Sequence, residues 1–152
     1  MTSDEARLAY ADQVAQVWIR RYRVSPVAGR VLGYLLVCDP ERQSIDELAA
    51  SLRASRSAVA GAVKDLEALG ALHRDRVAGE RVDRVRVAGI DETRGFDPTP
   101  YREMAAFARQ GLTLLSDRSA ERRRPLEDMV SMGDFLAERL PQLLAEWRRL
   151  RD

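Results

Sequence analysis

A chain of 152 residues is long enough for one domain with a helical extension and a real hydrophobic core. Acidic and basic residues nearly cancel, leaving a formal charge of +1, so the protein cannot hold nucleic acid by bulk positive charge; any such binding depends on where single cations sit. No apolar run reaches membrane-spanning length, Met1–Glu5 lacks the features of a leader, and one cysteine, Cys38, excludes an internal disulfide, so a cytoplasmic protein is expected.

Residues from about Asp4 to Arg23 form a first amphipathic helix, with Leu8, Ala11, Ala15, Trp18 and Tyr22 on one stripe. Ser25-Pro26 opens a second helix, Val27 to Cys38, apolar on nearly every side and therefore the expected buried spine. Ser44 and Glu47 form a capping box ahead of Ile45, Leu48, Ala49 and Leu52, the apolar face of a short third helix. Only Arg53 and Ala54 separate it from Ser55, which caps a fourth helix carrying Val59, Ala62, Val63, Leu66 and Leu69 and stopped by Gly70. Leu72–Val77 and Asp83–Ala88 then alternate as two strands with Gly79 at the tip. Helix, tight turn, helix and two-stranded ribbon is the order of a winged helix-turn-helix.

The connector Gly89–Pro100 leads to a helix carrying Tyr101, Met104, Ala105, Ala108, Leu112 and Leu115. After a break at Ser116–Ser119 comes a long apolar-striped segment, with Pro125 expected in its first turn and Pro141 expected to kink or end it. These stripes exceed what a small reading head needs, and two-fold pairing with a second copy is expected to cover them. The division is therefore a DNA-binding domain over 24–90 and a helical dimerisation region over 1–23 and 98–152. The fold class is mainly α with a small β-hairpin.

Opposite the apolar stripe of the fourth helix lie Arg56, Ser57, Ala60, Gly61 and Lys64, following the capping Ser55. A mid-helix glycine costs about 1 kcal/mol relative to alanine. Close approach of DNA supplies a reason for Gly61; packing against a neighbouring helix is the other. Arg56 and Lys64 suit guanine edges or phosphates, and Arg81 at the ribbon tip, flanked by Arg76, Arg84 and Arg86, suits phosphates or the minor groove. The expected DNA-binding set is Ser55, Arg56, Ser57, Ala60, Gly61, Lys64, Arg76, Arg81 and Arg84.

The stretch SIDELAASLRASRSAVAGAVKDLEALGALHRDRVAGERVDRVRV resembles the DNA-binding core of MarR-type regulators. From Gly29-Arg30-Val31-Leu32-Gly33-Tyr34-Leu35-Leu36 through the wing it is similar to the GbsR-like branch. The resemblance implies a homodimeric transcriptional regulator, a repressor relieved by a small-molecule effector seated between reading heads and dimer helices. It also brings up an aromatic wall of Trp18, Tyr22 and Tyr34 for a cationic ligand, and redox sensing by Cys38; core packing is the competing reading of all four. Glu80 and Asp83 beside Arg81 depart from the more basic wing tips of the family.

Catalytic signatures are missing: His73 is the lone histidine, and there is no phosphate loop, nucleophile elbow or metal-type spacing. No enzyme, cofactor or metal is expected. The alternative to DNA is a winged-helix module using the same outward helix face against a protein.

Overall fold

The computed structural model describes residues 1–152 and divides into two compact units, Met1–Glu92 and Thr93–Asp152.

In the first unit, α1 (Ser3–Tyr22) starts at a capping box the sequence pattern had not marked: the Glu5 amide donates to Thr2 Oγ1 at 3.2 Å and the Thr2 amide to Glu5 Oε2 at 2.7 Å. It packs along α2 (Pro26–Leu35) through small residues. A Cβ on Gly29 would lie 2.8 Å from Ala15 Cα, and one on Gly33 would lie 2.7 Å from Ala11 Cα. These two glycines are what let the helix backbones approach. Residues 1–23, grouped by sequence with the dimerisation helices, thus pack inside the first unit. Helix α2 is buried from Ala28 to Leu35 except at Arg30, in keeping with its apolarity, but ends there; a turn closed by the Cys38 amide on Tyr34 O at 2.9 Å replaces the expected last turn.

Helix α3 (Ile45–Leu52) carries the expected Ser44–Glu47 capping box and ends at Arg53 in the left-handed conformation, φ 52°. Helix α4 (Arg56–Ala68) follows, and Gly70 at φ 74° ends it. Strands β1 (Leu72–Arg76) and β2 (Asp83–Val87) pair antiparallel, from Leu72 opposite Val87 to Arg76 opposite Asp83, with Gly79 at φ 87° in the turn. The backbone of buried Gln43 pairs with Val85 in both directions, at 3.0 and 2.8 Å, so the ribbon is stitched to the residue just before α3's cap. The core beneath is Val31, Leu35, Leu48, Leu52, Val59, Val63, Leu66, Leu72 and Val85.

In the second unit a 3-10 turn, Arg94–Phe96, precedes α5 (Thr99–Leu114) and α6 (Ala120–Arg151). Helix α6 starts at the Ser119 cap, ahead of Pro125, and runs unbroken through Pro141, so neither proline acts as expected. Both sit at exposed positions of the helix, so neither ring is forced into the α5–α6 seam. The α5–α6 seam is made of small residues: Ala105, Ala108, Gly133 and Ala137 are buried, and a Cβ on Gly133 would lie 2.7 Å from Tyr101 O. No helix of the chain is long and apolar enough to cross a membrane.

Candidate nucleic-acid interface

Helix α4 is placed by its apolar side. Val59, Ala62, Val63 and Leu66 are buried, which turns Ser57, Gly61, Lys64 and Ala68 outward. Its first turn is organised by Ser55, whose hydroxyl accepts the Ala58 amide at 3.2 Å and lies 3.3 Å from the Ser57 hydroxyl. Ala60, on the flank, is half-buried. Gly61 resolves one of the two readings left open by sequence: a Cβ built there meets nothing within 4 Å. The contrast with Gly29, Gly33 and Gly133 is direct, since each of those is pressed against a neighbouring helix. Packing within the chain does not explain Gly61.

The cations of the region fall into two groups. Arg56 donates from Nε to Asp46 Oδ1 on α3 at 2.7 Å. Arg76 pairs with its cross-strand neighbour Asp83 at 2.9 Å. Arg84 is held twice, by Glu80 and by Glu47, at 2.6 Å each. Arg74 forms a two-pronged pair with Glu67, at 3.1 Å on each arm. Arg86 joins Asp75 at 3.1 Å and both oxygens of Glu92 at 2.9 and 3.0 Å. Lys64 and Arg81, by contrast, are exposed and enter no ion pair within the chain. Of the expected set, then, three arginines carry internal counter-charges and two cations do not.

These elements enclose a cleft of about 220 Å³ between the N-terminal ends of α3 and α4 and the wing. Arg56, Arg74, Arg76 and Arg81 line it, with Asp46 and Asp83. Arg74 was not singled out by sequence, although it shares the exposed side of β1 with Arg76, two residues away, and the period of a strand is the signal that would have found it. The ends of the wing are fixed by Glu92, which accepts the Gly89 amide at 2.6 Å as well as the Arg86 fork. That fork, followed by the amide, holds the Glu92 carboxyl down at about 2. His73 Nε2 lies 3.8 Å from the same carboxylate. Cys38 is buried among the carbonyls of Leu35, Pro40 and Glu41, and burial raises its pKa, which disfavours the thiolate a redox sensor needs. Trp18 and Tyr22 stack on one another, with ring centroids 4.4 Å apart. No group of His, Cys, Asp and Glu side chains is arranged to hold a metal ion.

The chain is 40% identical over 113 residues to the HTH-type transcriptional regulator MmpR5 of Mycobacterium tuberculosis, covering 72% of this chain and 68% of that protein. The chain belongs to the MarR family of transcriptional regulators, in its MmpR5-like group. The model of the MmpR5-like MarR family matches residues 99–150, the α5–α6 pair. A crystal structure of a transcriptional regulator superposes with a TM-score of 0.80 at 28% identity, covering 95% of this chain and 99% of that one. The winged-helix architecture with terminal helices is thus that of a solved transcriptional regulator, and the activity of the family is DNA-binding transcriptional regulation, not enzymatic chemistry. The resemblance seen in the reading head holds at the level of the MarR family.

Proposed function

We propose that the protein binds a pseudo-palindromic duplex as a homodimer, with the outward face of α4 in the major groove and Arg81 of the wing on the flanking backbone. The observation that carries this is the open surface over Gly61 beside unpaired Lys64: a helix-weakening glycine with nothing of its own chain to approach. Ser55, Ser57 and Ala60 shape the same surface, and Arg56 stands at its leading edge. A protein partner on this face remains the alternative only through its acids, Asp65 above all; Glu67 is already engaged by Arg74.

Dimerisation is supported by what the second unit fails to bury. Two helices joined by alanine and glycine leave Phe107, Met132 and Phe135 more than half exposed, and Met129, Leu136, Leu143 and Leu150 recur at heptad spacing along α6. A second copy covering this surface sets half-sites about 10 base pairs apart. Repression follows from a dimer that occupies a promoter with no need of an activating surface. On the same face, Met104, Met129, Met132 and Phe135 border a hollow of about 580 Å³ that the second copy would close into a pocket of a size for a small apolar effector. A cytoplasmic location accords with a regulator of transcription. Kinship to the GbsR-like branch rests on the pattern from Gly29 through the wing.

The test is selection from a random duplex pool, followed by titration of the winning duplex at several salt concentrations. With Lys64 and Arg81 placed on phosphates in each head, four phosphate contacts per dimer give a log–log salt slope of about −3.6, a loss of about 150-fold between 50 and 200 mM. A slope near zero, or no duplex enriched over random sequence, defeats the reading.

A further inference from the structure

Arg84 stands in the expected DNA-binding set, but its surroundings give it different work. Its side chain is 21% exposed, against an exposed Arg81 three residues before it. Its Nε donates to Glu80 Oε2 on the wing turn, and its Nη1 donates to Glu47 Oε2 at the start of α3, both at 2.6 Å. The same Glu47 oxygen accepts the Ser44 amide at 2.8 Å, and Ser44 Oγ accepts the Glu47 amide at 3.1 Å. A continuous chain of charge-assisted bonds therefore runs from the wing turn, through one guanidinium, into the cap of α3. Next to it, the Gln43 backbone pairs with Val85, the residue after Arg84. For Arg84 to reach a phosphate it would have to give up two short bonds to carboxylates and leave both acids facing DNA.

We propose that Arg84 is a positioning residue: with Glu47 and Glu80 it latches the wing to the N-terminus of α3 and so fixes where Arg81 stands relative to α4. This rests on the reading that Arg81 meets DNA. It also gives the acidic wing a purpose. Glu80 and Asp83 neutralise Arg84 and Arg76, the two arginines that brace the ribbon, and leave the tip's remaining arginine, Arg81, as the cation on offer. The backbone hydrogen bond from Ser44, with Arg84 contributing, lowers the pKa of the Glu47 carboxyl, which favours the ionised form the latch uses.

Three variants of the full chain separate latch from contact, each titrated with the selected duplex across salt. Arg81→Ala is the control: loss of a phosphate contact in each head lowers the magnitude of the salt slope by about 1.8 per dimer. If Arg81→Ala leaves affinity and slope unchanged, the wing does not meet DNA and the functional reading of Arg81 fails. Arg84→Met is expected to lose about tenfold in affinity with the slope unchanged, and hydrogen exchange in the free protein should quicken at Val77–Val82 while α4 amides keep their rates. A slope reduced as in Arg81→Ala makes Arg84 a phosphate contact and overturns the proposal. Glu80→Gln, a change on the wing turn that does not threaten the core, decides independently of how Arg84→Met folds. Removing an acid from a DNA-facing surface should raise affinity if Glu80 merely repels phosphate; the latch requires affinity to fall about threefold or more. A rise in affinity overturns the proposal.

Discussion

Replacing Gly61 by alanine should do two opposite things at once. Gly61 is the sixth residue of α4, flanked by helix on both sides, and an added Cβ meets no atom within 4 Å. Nothing in the fold opposes the change, so the helix gains the difference in propensity, about 1 kcal/mol. For a chain of this length that raises Tm by about 3 °C. In the DNA complex the same methyl stands where the helix comes closest to the duplex, and overpacking a close-fitted surface costs about 1–3 kcal/mol, or about 5- to 150-fold in Kd. Thermal unfolding followed by circular dichroism and fluorescence anisotropy on the selected duplex read the two effects from one preparation. A more stable protein that binds more weakly is the expected pair. A less stable Gly61→Ala would mean that the glycine is packed after all, and a more stable variant with unchanged affinity would mean that the face does not touch DNA.

Gly133→Leu should destabilise the second unit, because even the first carbon of the side chain would stand 2.7 Å from Tyr101 O; a loss of about 3 kcal/mol in urea unfolding is expected, against none for Gly61→Ala. Leu143→Asp places a charge on the α6 apolar face, and sedimentation should show a monomer where the parent is a dimer; a monomeric parent removes the dimer altogether. Glu92 has its folded pKa lowered from 4.5 to about 2, so its contribution to stability is present above about pH 4.5 and fades as pH falls towards 2. Glu92→Gln should therefore be less stable than the parent at pH 7, with the gap closing across that acid window; a gap independent of pH would contradict the assignment to Arg86 and Gly89.

The reading head was legible because its signals are local. Capping residues at Ser44 and Ser55, the proline that opens α2, the 3.6-residue spacing of Val59, Val63 and Leu66, and glycines at 70 and 79 each act within a few residues of themselves. What escaped depends on partners distant in sequence. Arg84 meets Glu47 across 37 residues and Arg56 meets Asp46 across 10, and no periodicity records which acid an arginine will find. The prolines of α6 misled for a related reason: a proline is a helix breaker by default, but it is tolerated where its ring lies on the exposed side of the helix, and that depends on which side the fold buries. Gly61 and Gly133 are alike in sequence, each a mid-helix glycine; only the neighbour, present at one and absent at the other, distinguishes a packing glycine from a surface one.

Lys64 is the one lysine among 25 basic side chains, so an amine-reactive reagent reports on it alone apart from the N-terminus. Labelling the protein with and without the selected duplex, and reading the modified peptide by mass spectrometry, measures directly whether the outward face of α4 is covered. Strong protection of Lys64 by the selected duplex, weak protection by random duplex and unchanged labelling of the N-terminus are the expected results. Labelling of Lys64 that proceeds at the same rate on bound and free protein would contradict the account at its centre.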